Sequence, residues 1–247
     1  MWSPQTEYLR FRGWRAIVPE LRGYGASRVW AGKTTLDAFA DDIAQLLDQL
    51  GISRVVVGGL SMGGQIAMEF CRTRPERVRG LILAATFPEK ETPEGKRARQ
   101  RMAGRLLREG MGRYAVEALP KMLSASSIER SPRLAQHVEA MMRNTDPVGA
   151  AAALRGRAER PSYEATLESL NVPSLIVAGD ADRFTSRADA EQMSALLSGS
   201  ELLWLAGVGH MPNLEAPDEF NAAMSRLLEA VEAVEASEQS RRAITPA

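Results

Sequence analysis

The chain has 247 residues, with 31 Lys plus Arg balanced by 31 Asp plus Glu, long enough for one large domain with an insertion and a sizeable core. The balance leaves no electrostatic bias toward nucleic acid or an anionic membrane and suits a small neutral substrate better. A lone cysteine, Cys71, excludes an intrachain disulfide, no apolar run approaches the roughly 18 residues of a membrane span, and the first residues do not resemble a secretory signal, so a cytoplasmic location is expected.

The chain opens on a short helical stretch around "SPQTEYLR". Trp14 to Pro19, "WRAIVP", then reads as a buried strand, and Gly23 and Gly25 mark the loop after it. In "TTLDAFADDIAQLLDQLG" the residues Leu36, Phe39, Ala40, Ile43, Leu46, Leu47 and Leu50 recur at helical spacing, with Thr34 or Thr35 placed to cap the start and Gly51 to end it. "RVVVGGL" and "RVRGLILAAT" read as strands on either side of a helix from Met62 to Arg74. Strands joined by helical crossovers of this length are parallel and covered on both faces. Residues 87–163 show no strand pattern, only short helical patterns broken by Pro93, Pro120, Pro132 and Pro147, and are expected to form an inserted helical cap. Alternation resumes with the strand "VPSLIVAGD", the helix "SRADAEQMSALLSG", the strand "SELLWLAG" and a closing helix from "APDEF" onward. The core is thus expected over 1–86 and 164–235, and the polar tail 236–247 is expected to fray.

Gly59 to Gly63 spell G-x-S-x-G between a predicted strand and a predicted helix, which sets Ser61 on a sharp strand-to-helix turn. Gly59 and Gly63 would let the flanking chains approach without Cβ clashes. The helix start leaves free N–H groups, so the Met62 amide can donate to an oxyanion formed when Ser61 attacks a carbonyl. A serine hydroxyl needs a base, and the chain holds two histidines. His210 stands in a glycine-flanked loop after the last strand and can reach over the sheet; His137 lies in a helical pattern of the cap, where it reads as a surface or packing residue. For an acid to orient the base, Asp180 and Asp182 both lie just beyond a strand, with Glu89 as a remoter candidate. Cys71 reads as helix packing. Arg97, Arg101, Arg105 and Arg108 share one helix face, either solvated or receiving an acidic substrate; Met111, Met122, Met141, Met142 and Trp204 read as core filling. No cofactor and no metal is expected.

Taken in order, "LRGYGAS", "GGLSMGG", "RPERVRGLILAAT", "GDADRFT" and "GVGHMPNLEAPDEF" resemble the α/β-hydrolase superfamily in its cap-bearing branch of esterases and lactonases, over nearly the whole chain. The resemblance implies an α/β fold with a mostly parallel sheet and an inserted cap, and places the acid at Asp182, since Gly179 to Asp182 fit that family's G-x-x-D; Asp180 then serves the turn. It implies a serine hydrolase cleaving a small carboxylic ester or lactone through an acyl-enzyme, by Ser61, His210 and Asp182. A small-molecule receptor is the alternative from another class; perhydrolysis or carbon–carbon bond hydrolysis would use the same triad. The family opens with three strands, the third ending in a histidine-glycine loop, and this chain resembles it only from the helix that follows. An N-terminally shortened form, short of about 30 residues, is therefore expected, with activity conditional on that segment or lost in an inactive fragment. Its strands at Trp14–Pro19 and Arg54–Leu60 would pair directly or leave backbone groups unpaired. Loss of the loop's oxyanion donor would leave the Met62 amide alone, at a cost on the order of 10² to 10³ in turnover.

Overall fold

In a computed structural model that describes residues 1–244, four strands form one parallel sheet in the order β1 (Val55–Leu60), β2 (Val78–Ala84), β3 (Ser174–Gly179) and β4 (Glu201–Leu205). Successive side chains of a strand point to opposite faces, and here both faces are apolar and buried. Leu81 and Leu83 of β2 and Ile176 and Ala178 of β3 enter one core, while Ile82 and Ala84, Leu175 and Val177 enter the other. The first core is closed by α2 (Leu36–Gln49) and α3 (Met62–Thr73), the second by α12 (Pro217–Ile244) through Phe220, Met224 and Leu227. The helix α1 (Ser3–Phe11) joins that second layer, where Tyr8 Oη lies 2.7 Å from Ser225 Oγ and Gln5 Nε2 donates to Asn213 O and Asn221 Oδ1.

Local signals explain several element ends. Gly51, at φ 66°, ends α2 with amides turned back on Asp48 O and Leu47 O. Thr35 stands at the N-cap of α2, although its hydroxyl makes no capping bond. Ser186 and Asp189 form a reciprocal capping box at the start of α10 (Arg187–Leu196).

Between β2 and β3 the chain is helical: α4 (Pro93–Glu109), α5 (Met111–Met122), α6 (Ala125–Arg130), α7 (Pro132–Arg143) and α8 (Pro147–Arg157), then α9 (Glu164–Ser169). Pro93, Pro132 and Pro147 each open a helix, where the missing N–H is no loss. Pro120 does not break one: it sits in the last turns of α5, four residues after exposed Val116. The small residues Ala150 to Ala153 bring α8 close against the core, and Thr34 N donates to Ala152 O at 3.0 Å.

One expectation is corrected. Trp14 to Pro19 forms no strand: it pairs with none of the four, and Arg15, Ala16 and Val18 are exposed. An apolar run suits a strand, but a strand also needs a neighbour's backbone, and β1 pairs only with β2. The polar tail expected to fray begins inside α12, which continues to Ile244, with Arg54 and Glu238 paired at 3.5 Å. Residues 245–247 lie outside the described residues. No described helix is long and apolar enough to cross a membrane.

Candidate active site

The C-terminal ends of β1, β3 and β4 carry the three predicted residues. Ser61 lies between β1 and α3 with φ 55° and ψ −112°, a left-handed conformation that a non-glycine residue adopts only where its surroundings hold it. Its amide donates to Ala84 O at 2.9 Å, and its carbonyl accepts from Thr86 Oγ1 at 2.8 Å. The turn is tight on both sides. A Cβ on Gly59 would lie 2.1 Å from Gly63 C, and one on Gly64 would lie 2.6 Å from Thr86 Cγ2. The second small residue required is therefore Gly64 and not Gly63, whose Cβ would meet nothing within 4 Å. Met62 opens α3, and by that position its amide has no intrahelical acceptor.

Beyond β3, the Asp182 carboxylate accepts from His210 Nδ1, at 2.9 Å to Oδ2 and 3.0 Å to Oδ1, and from the Phe184 amide at 2.8 Å. Both side chains are almost fully buried, at 0% exposure for Asp182 and 4% for His210. An ionised carboxylate only accepts, so Nδ1 carries the proton and Nε2 is left with its lone pair. The Phe184 ring packs on the imidazole with centroids 4.7 Å apart. Asp180 accepts from Gly207 N at 2.6 Å and so ties the two loops together as a turn residue. The structure thus joins Asp182 to His210 and sets Ser61 on the same edge of the sheet, but Ser61 Oγ makes no hydrogen bond to His210.

The other candidates lie elsewhere. His137 is exposed on α7. Glu89 has Arg160, Glu164 and Asp189 for charged neighbours, and burial raises its pKa. Cys71 is buried in α3, its thiol pushed up by burial to about 12. Of the α4 arginines, Arg97, Arg101 and Arg108 are exposed and Arg105 is bound by Glu109 and Glu117. Met122, Met141 and Met142 pack with Met211 in a small cluster, Met111 packs against Ala150, and Trp204 packs on the first core.

Sequence reasoning missed Glu215, in α11 (Pro212–Glu215). Its carboxylate accepts from the amides of Gly209 (3.0 Å), Met211 (3.3 Å) and Ser124 (2.9 Å), on both sides of His210 and across to the segment after α5. His210 N donates to Met122 O at 3.1 Å at the same seam. The available signal was an acidic residue five positions after the histidine in one loop.

A family model described as the alpha/beta hydrolase family matches residues 1–223. Among similar proteins is 3-oxoadipate enol-lactonase 1 of Acinetobacter baylyi, 27% identical over 94% of this chain and 85% of that protein. A thermophilic esterase from Thermogutta terrifontis, solved with malate bound, is 37% identical with a TM-score of 0.90, over 93% of this chain and 85% of that one. The enol-lactonase from Burkholderia xenovorans is 25% identical with a TM-score of 0.77, over 85% of this chain and 78% of that one.

Proposed function

The chain belongs to the alpha/beta hydrolase family, and on that premise we propose that it cleaves small carboxylic esters or lactones through an acyl-enzyme, with Ser61 as nucleophile, His210 as base and Asp182 as the acid that orients it. The observation that carries this reading is the buried Asp182–His210 pair on the same sheet edge as the strained turn at Ser61. Ser61 Oγ attacks the carbonyl carbon and its proton passes to His210 Nε2. The charge that develops on the carbonyl oxygen faces the Met62 amide at the N-terminus of α3. His210 then returns the proton to the leaving oxygen, and a water molecule repeats the sequence on the acyl-enzyme, restoring the Ser61 hydroxyl. Asp182 holds the imidazole in the tautomer this requires and stabilises its cation. We read α4 to α8 as a cap whose inner face selects the substrate.

A fluorophosphonate probe tests the proposal. The wild-type protein should be labelled at Ser61, and Ser61→Ala should lose both labelling and ester turnover. Equal labelling of both proteins, or none of the wild type, would remove the basis for an acyl-enzyme. The missing hydrogen bond between Ser61 Oγ and His210 is the one feature that favours a pocket binding its ligand without turnover, and the same probe separates that reading from hydrolysis.

A further inference from the structure

Arg157 ends α8 beside α3, the helix that leaves the strand-to-helix turn, or elbow, at Ser61. The Arg157 Nε donates to Gln65 Oε1 at 2.7 Å, and the backbone N–H of Gln65 donates to Ser61 O at 3.1 Å in the first turn of α3. Gln65 is fully buried, and a helical side chain leans toward the N-terminus, here toward Ser61. Arg157 is therefore tied to the residue one helical turn after Ser61. The joint is rigid: a Cβ on neighbouring Gly156 would come 1.6 Å from Thr34 O, so α8 cannot be displaced by even one methyl group there.

Among the described residues Arg157 has no counter-ion of its own. Three guanidinium groups, Arg99, Arg157 and Arg160, meet around one carboxylate, Glu91, and Glu91 is bound by Arg99 and by Arg160 (2.5 Å). Among the described residues Arg157 has no ion pair, and its one hydrogen bond goes to the neutral side-chain amide of Gln65. The Nε2 of that amide is itself buried with no partner. An unbalanced cation in a desolvated place is costly, and such costs concentrate where a ligand completes the charge. Desolvation brings the Arg157 pKa down to about 9 and raises those of Tyr24, to about 12, and Tyr114. All three side chains nevertheless keep accessible surface. Tyr24 and Tyr114 both feel the charge of Arg157, and among the described residues neither phenol oxygen has a hydrogen-bond partner.

We propose that Arg157, with Gln65, Tyr24 and Tyr114, forms a subsite for a carboxylate on the substrate, so that the preferred ester or lactone is one bearing a free acid. This names the substrate class of the site at Ser61 and rests on that reading. The guanidinium supplies the charge and a fork of donors that fits a carboxylate. The phenols and the free amide N–H complete it.

The test compares monoethyl glutarate with its neutral isostere ethyl 5-methylhexanoate, followed by proton release, in the wild type and Arg157→Met. The wild type should favour the acid ester, and the ratio of kcat/KM between the two esters should fall at least about 30-fold in the variant. An unchanged ratio, whether both esters lose activity together or neither does, overturns the subsite. Glutarate binding by calorimetry gives an answer that does not depend on turnover: the wild type should bind it and Arg157→Met should not, and equal binding or none overturns the proposal. If neither ester is cleaved but glutarate binds through Arg157, the subsite stands and the hydrolase reading fails. Should Arg157→Met not fold, Arg157→Gln removes the charge while keeping a donor for Gln65.

Discussion

Replacing Glu215 by glutamine perturbs three amide contacts at once. Oε1 of Glu215 accepts from Gly209 N and Met211 N, and Oε2 accepts from Ser124 N. Glutamine keeps the shape but has an oxygen on one side only. In its better orientation the oxygen stays with Gly209 and Met211, and the NH2 group turns its hydrogens on the amide of Ser124, a buried residue. A stranded donor costs about 1–3 kcal/mol, and the two surviving bonds lose their charge assistance, roughly half their strength. The sum is about 3 kcal/mol, which at this chain length lowers Tm by about 6–12 °C. Because two of the three stays flank His210, the loss should reach turnover as well. A displacement of about 1 Å at the base costs up to about 10²-fold, mostly in kcat. Thermal melts and initial rates on a short-chain ester check both parts. A Tm within about 1 °C of wild type would refute the assigned energy, and a lowered Tm with unchanged kcat would refute the positioning of His210.

Asp182→Asn keeps the volume but lets the amide donate to Nδ1, turning the imidazole to the wrong tautomer; kcat should fall by about 10³ to 10⁴ with the fold retained, as steady-state rates and circular dichroism would report. Glu89 and Glu91 should respond to pH in opposite directions. Burial pushes the Glu91 carboxyl up, but the hydrogen bond and charge of Arg99 and the charge of Arg160 outweigh it, so its pKa is lowered. Its contribution is present above the unfolded value of about 4.3 and is lost as pH falls through the folded value. Glu91→Gln strands two guanidinium groups and should cost about 3–5 kcal/mol at neutral pH, a gap that closes in acid. For Glu89 burial raises the pKa, so stability is present below about 4.3 and lost as pH rises through the folded value. Glu89→Gln should therefore raise Tm at pH 8 and leave it unchanged near pH 4, and melts across that range would show it.

The parts of the fold that were legible are those whose cause lies within a few residues. Alternate burial on β2 and β3 follows from runs such as "LILA" and "LIVA", because a strand covered on both faces must be apolar at every position. Asp182 and His210 stand just past β3 and β4, which are neighbours in the sheet, but order along the chain left Asp180 and Asp182 both open, and only the resemblance in G-x-x-D chose between them. Trp14–Pro19 looked equally apolar, but pairing is a property of two segments, and this one has no partner strand. The motif at the elbow named Gly63, whereas the space that excludes a Cβ is beside Gly64, because Thr86 arrives there from the end of β2.

Charge was the least legible property, and the reason is geometric. Helical spacing groups Arg97, Arg101, Arg105 and Arg108 of α4 on one stripe, but spacing gives the stripe and not the direction it faces. Packing of α4 against α8 turns Arg99, off that stripe, toward Glu91 and Arg160. Glu215 finds Ser124 across 91 residues of sequence and Arg157 finds Gln65 across 92, so neither role has a local signature. A net charge of zero over 247 residues likewise pointed to a neutral substrate, yet Coulomb energy depends on separation and local dielectric, not on totals. Three guanidinium groups sharing one carboxylate beside the elbow outweigh balanced charges spread over the surface, where screening by water and salt weakens each of them. Under the subsite proposed above, the substrate's charge would be set by Arg157 and its surroundings rather than by the whole-chain balance, and the paired-ester comparison decides between the two expectations.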